Sequence, residues 1–145
     1  MPNFYNPEHC RNEKEVETKF IVYYLLPALG YPPESWFQEV TLGRFRLDFL
    51  VLTQGELQGH APYQLVLEAK SPSQNLDRHI RKFKRYLSSF NACYGLLTNG
   101  KLVRIYESIG GEFKLVFEVA GRDLENKIDQ VRQMIGREAR VNASK

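Results

Sequence analysis

Apolar positions recur along the first third of the chain at helical spacing: Val16, Phe20, Tyr23 and Tyr24 lie behind a polar opening at Asn12. Asn12 followed by Glu15 has the form of a capping box, in which Asn12 accepts from an early helix N–H and Glu15 reaches back. Gly30, in Leu29-Gly30-Tyr31, is placed to end this first helix, and Pro27 to kink its last turn. From Trp36 to Leu52 the texture changes to β-branched and large apolar residues broken at Gly43, which predicts two strands and a tight turn. Gln54 to Pro62 reads as a loop and Tyr63 to Lys70 as a third strand, stopped by Ser71-Pro72-Ser73.

The period then returns to that of a helix. Leu76, Ile80, Phe83, Leu87 and Phe90 form one apolar stripe between about Asn75 and Phe90. Asn99-Gly100 between the apolar runs Tyr94–Thr98 and Leu102–Tyr106 signals a two-residue hairpin, and Phe113 to Val119 alternates as a further strand. Leu124, Ile128, Val131 and Ile135 mark a closing helix, after which 136–145 reads as a polar, frayed tail. The order of helix, three strands, helix, two or three strands and helix predicts an α/β sandwich around a mixed sheet. A segment 1–11, a domain 12–135 and a tail 136–145 divide the chain.

Composition narrows the picture only slightly. The 145 residues suit one domain, and the formal net charge of +3 is mild. No apolar run is long enough to cross a membrane and the start lacks the order of a secretory signal, so a cytoplasmic protein is expected. Cys10 and Cys93 have no metal-ligand spacing; both are expected as reduced thiols, with Cys93 buried. His9, His60 and His79 show no ligand spacing either, and no histidine can be assigned as partner to a Ser or Cys nucleophile. Tyr23, Tyr24, Trp36 and Phe37 fit core packing better than a base-stacking platform.

Three residues stand out against this background. Alternation along Arg44–Leu52 puts Phe45, Leu47, Phe49 and Val51 on one face and Asp48 on the other with Arg46 and Leu50. A carboxylate inside an apolar strand needs a cation or a metal, since an unpaired buried charge costs several kcal/mol or more. On the third strand Glu68 and Lys70 are two apart and share a face with Val66. If the strands are neighbours, Asp48 and Glu68 converge on one point beside Lys70. Two hard oxygen ligands and one ammonium outline a magnesium site, with the metal activating water and the amine orienting or deprotonating it. The plainer alternative is that Glu68 pairs with Lys70 while Asp48 bonds Arg46 or a loop amide. The two carboxylates would also serve as an acid–base pair on sugars.

Asp48 followed by Glu68-Ala69-Lys70 resembles the D…(D/E)XK signature of the restriction-endonuclease superfamily. The resemblance extends in collinear order over roughly 12–106. Glu13-x-x-Val16, Lys19-Phe20, Leu25-Leu26, Leu29-Gly30-Tyr31, Arg46-x-Asp48, Glu68-Ala69-Lys70-Ser71-Pro72 and Leu97-Thr98-Asn99-Gly100 are similar to the N-terminal nuclease domain of type I restriction enzyme R subunits. It implies a restriction-endonuclease-like three-layer sandwich and a Mg²⁺-dependent DNA endonuclease in which Mn²⁺ substitutes. The site would comprise Asp48, Glu68 and Lys70, with Asp48 and Glu68 on the metal and a first-helix glutamate completing the acidic cluster. Glu13 matches that glutamate by spacing and Glu17, one turn on, is its substitute. Where the family commonly has a glutamine four residues before the second helix's tyrosine, this chain has Lys82 before Tyr86.

That helix also offers Arg78, Arg81, Lys82, Lys84 and Arg85; Arg46, Arg78, Arg81, Lys82 and Arg85 are the expected contacts to a DNA backbone. No GxxxxGK[ST] loop for an ATP-driven motor is present, so a stand-alone relative or an excised domain is expected. Partners would be DNA, a second copy of the chain, or motor and specificity subunits of a restriction system. A DNA-binding or assembly module on the same fold, without catalysis of its own, is the alternative.

Overall fold

The computed structural model describes residues 2–52, 64–90 and 92–143. The loop expected over Gln54–Pro62, together with His60 and Tyr63, lies outside them. Helix α1 occupies 13–28: an α-turn Glu13–Glu15, a π-helical stretch Val16–Leu25 and a last turn Leu26–Ala28. Strands β1 (Trp36–Leu42), β2 (Phe45–Leu52) and β3 (Gln64–Ala69) follow. Helix α2 opens as a 3₁₀ turn, Leu76–His79, and continues as Ile80–Ser89. Strands β4 (Tyr94–Thr98), β5 (Leu102–Ile109) and β6 (Glu112–Ala120) lead to α3 (Leu124–Ile135) and α4 (Arg137–Ala143).

The six strands form one sheet in sequence order, antiparallel at every step except β3 to β4, which is parallel and bridged by α2. One core packs α1 and α3 against Phe49, Val51, Leu65, Leu67, Leu96, Val103 and Ile105; the other packs α2 against Leu47, Leu50, Val66, Leu97 and Tyr106. The expected α/β sandwich around a mixed sheet is therefore what the chain builds. Gly95 makes the second core possible, because a Cβ there would stand 2.5 Å from the Phe83 ring and 2.7 Å from Leu87. The β5–β6 turn is Gly110-Gly111, both with positive φ, as a two-residue hairpin requires.

Asn12 caps α1 as expected, its side chain accepting from Glu15 N–H at 2.9 Å. The reciprocal half differs: Glu15 accepts from the Arg11 N–H at 2.9 Å and pairs with the Arg11 guanidinium at 2.7 Å and Lys19 at 3.2 Å. These donors hold its carboxyl well below the ordinary range, at about 2. Within the π-helical stretch Val16–Leu25 the buried residues are Val16, Glu17, Phe20, Ile21, Tyr24 and Leu25, pairs that recur every fourth residue. The wider π winding, with the Leu26 N–H donating to the Ile21 carbonyl, keeps that four-residue repeat in register and turns Tyr23 out, 61% exposed. Tyr23 and Phe37 (42% exposed) thus depart from the expected core packing, whereas Tyr24 is buried and Trp36 packs edge-on to Phe49.

Three further expectations are corrected. The β4–β5 connection is the three residues 99–101, because the Asn99 side chain accepts from both the Lys101 and Leu102 N–H groups and widens the turn. Cys10 is the buried thiol and Cys93 only half-buried; neither is in a disulfide. Residues 137–143 are not frayed but form α4, pinned by the Arg137 N–H to the Leu29 carbonyl (2.9 Å) and by the Arg140 guanidinium over the Tyr94 ring (4.8 Å).

Candidate active site

Asp48 sits where the sheet is interrupted on both sides. Pairing of β1 with β2 runs through Gln38–Phe49 and resumes at Val40–Leu47, skipping Glu39 and Asp48; pairing of β2 with β3 stops at Phe49–Leu67. Glu39 is the one non-glycine residue with positive φ (56°) among those described. The side chains of β2 change sides here: Phe45 and Leu47 join the α2 core, but so do Leu50 and Leu52, while Phe49 and Val51 face α1. The expectation that Phe45, Leu47, Phe49 and Val51 share one face, opposite Leu50, is therefore wrong. Strict alternation fails because the strand pivots at Asp48.

The missing backbone rungs are replaced by carboxylates. The Asp48 N–H donates to Glu68 Oε1 at 2.9 Å, and the Ala69 N–H donates to Asp48 Oδ2 at 2.8 Å. Each acid thus caps the other strand's backbone, which fixes both carboxylates. β3 alternates cleanly, with Leu65, Leu67 and Ala69 toward α1 and Val66 toward α2. Glu68 is 4% exposed, and Lys70 Nζ stands 3.9 Å from its Oε2. The Lys70 N–H continues the parallel ladder to the Thr98 carbonyl at 2.8 Å, and Asn99 Nδ2 donates to the Gln74 carbonyl at 2.8 Å, holding the loop after β3. The alternative reading was thus partly right: Glu68 pairs with Lys70, and Asp48 bonds a backbone amide, that of Ala69.

Burial first, and then the Asp48 charge, push the Glu68 carboxyl up to about 8. Two acids held this close without a full counter-charge are short of positive charge, and their free oxygens suit a hard divalent cation. Among the described residues no three His, Cys, Asp or Glu side chains stand close enough to hold a metal by themselves, so an ion here would rely on the pair with water or substrate oxygens.

The first-helix acids separate by burial. Glu13 is exposed; Glu17 lies on the buried side of α1, 8% exposed. Burial, then the charges of Asp48, Glu13 and Glu39, raise the Glu17 carboxyl. The substitute candidate is therefore the one beside Asp48.

On the α2 side a cleft of about 10 Å³ is lined by Glu68, Lys70, His79, Lys82, Phe83, Tyr86 and Leu97. Lys82 Nζ lies 5.7 Å from the Tyr86 ring centroid. His79, absent from the expected site, is held below its ordinary pKa by burial and by Lys70, Lys82 and Arg78. Its signal was on the page as helical spacing: His79, Lys82 and Tyr86 share one face of α2. Arg46, Arg78, Arg81, Lys84 and Arg85 are exposed and make no ion pair with a described carboxylate. A larger cleft of about 770 Å³ between the end of α1 and helices α3 and α4 contains none of the expected residues.

Fold and site together define an α/β domain whose mixed sheet carries a crossed carboxylate pair and a lysine beside a basic helix. The family of the type I restriction enzyme R protein N terminus (HSDR_N) matches residues 12–118, and the chain belongs to it. No curated protein and no solved structure matches. Among the described residues no helix is long and apolar enough to cross a membrane.

Proposed function

We propose that this domain is a metal-dependent DNA endonuclease of the PD-(D/E)XK type, with a restriction-endonuclease-like sandwich. The observation that carries the reading is the interlocked pair Asp48–Glu68 with Lys70 Nζ 3.9 Å from Glu68. Asp48 and Glu68 are the residues that would hold Mg²⁺, or Mn²⁺ in its place, with Glu17, or Glu13, adding negative charge from α1 rather than a ligand. Bound there, the cation polarises the phosphoryl group and acidifies a water. Lys70, held beside Glu68 and only partly exposed, would orient the attacking water as its ammonium or take its proton as the neutral amine. Arg46, Arg78, Arg81 and Arg85 contact the DNA backbone; exposed and in no ion pair with a described carboxylate, they give affinity without base recognition. Cutting both strands takes two such sites, hence a second copy of the chain or repeated encounters, and motor and specificity subunits of a restriction system are the further partners proposed.

That no three acidic or histidine side chains among the described residues could hold a metal together favours one second reading: a DNA-binding or assembly module on this fold that lacks catalysis alone. Plasmid assays separate the two. Nicking of supercoiled DNA in Mg²⁺ or Mn²⁺, absent in EDTA and absent from Asp48→Ala and Lys70→Ala, is the expected result. Binding without cutting by the unaltered protein would replace it with the second reading.

A further inference from the structure

We infer that Lys82 is not one more member of the diffuse basic face but, with Lys70, seats a single non-bridging oxygen of the phosphoryl group at the cleft. The inference rests on the nuclease reading of the same site and adds to it a substrate contact. Lys82 differs from Arg78, Arg81, Lys84 and Arg85 in that it alone of these lines the cleft that contains Glu68 and Lys70. Its ammonium is steered there by the Tyr86 ring, 5.7 Å away, and Tyr86 is itself buried and packed edge-on to Phe45. Two ammonium groups therefore approach one opening from different elements, Lys70 from the end of β3 and Lys82 from α2.

The dimensions decide what the opening takes. A cleft of about 10 Å³ has room for about one water-sized group, an oxygen and not a whole phosphate. Phe83, Tyr86 and Leu97 line the opening with apolar surface, and an anionic oxygen there meets two cations, the partly exposed Lys70 and the exposed Lys82. A phosphoryl oxygen gains charge in the transition state, so such a seat contributes to turnover more than to ground-state affinity.

The test uses the full chain with Lys82→Ala, Lys82→Arg and, as reference, Lys127→Ala on the exposed side of α3. Single-turnover cleavage of a duplex in Mg²⁺ is expected to fall about 10- to 100-fold in Lys82→Ala, with duplex affinity in EDTA within about threefold. Lys82→Arg should recover most of the rate, and Lys127→Ala should match the unaltered protein. In parallel, NMR of ¹³C-methylated lysines follows titration with inorganic phosphate; the Lys70 and Lys82 signals should move together while Lys127 stays. Cleavage by Lys82→Ala within twofold of the unaltered protein, or a Lys82 signal that moves no more than that of Lys127, overturns the seat. If the unaltered protein does not cut but phosphate moves Lys70 and Lys82, the nuclease reading fails and the anion seat stands.

Discussion

The two sides of the sheet at Asp48 differ in sign. Toward α2 stand Lys70, Lys82 and His79 around Glu68; on the other side Asp48, Glu13 and Glu39 all act on the buried Glu17. One strand residue therefore lies between a cleft lined by cationic groups and the acids whose charges act on Glu17. Phosphodiester chemistry needs both, oxygen ligands for a metal and ammonium groups for the phosphate, and needs them not to neutralise each other. The pivot in β2 achieves this by letting a single carboxylate address both faces, which regular alternation forbids.

The comparison can be broken most sharply at the residues it turns on. Asp48→Ala and Lys70→Ala should each lower plasmid nicking by about 10³-fold or more while duplex binding in EDTA survives; retained cutting would detach the chemistry from the pivot. Next come the two helix acids. Glu17→Gln should slow cleavage about 10- to 100-fold and Glu13→Gln less than about threefold. The reverse order, read by single-turnover rates, would move the acid cluster's working member to the exposed end of α1.

Smaller effects sharpen the picture. Arg81→Ala with Arg85→Ala should weaken binding evenly across DNA sequences and reduce the slope of log affinity against log salt by about 2, measured by fluorescence anisotropy. The least is thermal. Glu68 is raised in the folded state, so the stability it contributes is fully present below its unfolded value and is lost as pH rises through about 8. A cation competes with that proton, so added Mg²⁺ should raise the melting temperature by roughly 2–5 °C more at about pH 8.5 than at about pH 6. An equal shift at both would mean that Glu68 does not hold the metal.

Much of this was legible in the residues themselves. Period-2 and helical patterns located every strand and the three main helices, and Glu68-Ala69-Lys70 lay where its spacing put it. What escaped was departure from ideal periods. The π winding of α1 decides that Glu17 is buried and Tyr23 exposed, and no α-helical template shows it. The reversal at Asp48 depends on Glu39 and Glu68, from two other strands, so strand alternation alone misassigned Phe49 and Leu50. His79 was judged by ligand spacing in sequence, whereas its neighbours are Lys70, from β3, and Lys82, one turn along the same helix. Residues 137–143 looked like tail because their anchors, Leu29 and Tyr94, are distant in the chain.

The strictly sequential strand order has a consequence for biosynthesis. The sheet is two three-stranded meanders, β1–β3 and β4–β6, sewn together along one parallel seam. Asp48 and Glu68 both belong to the first, and their crossed bonds require only hairpin neighbours. The cationic half waits for α2 and for Thr98 of the second meander to fix the backbone at Lys70. As the chain leaves the ribosome, N-terminal half first, both acids and the backbone groups they bond emerge before α2 and β4 do.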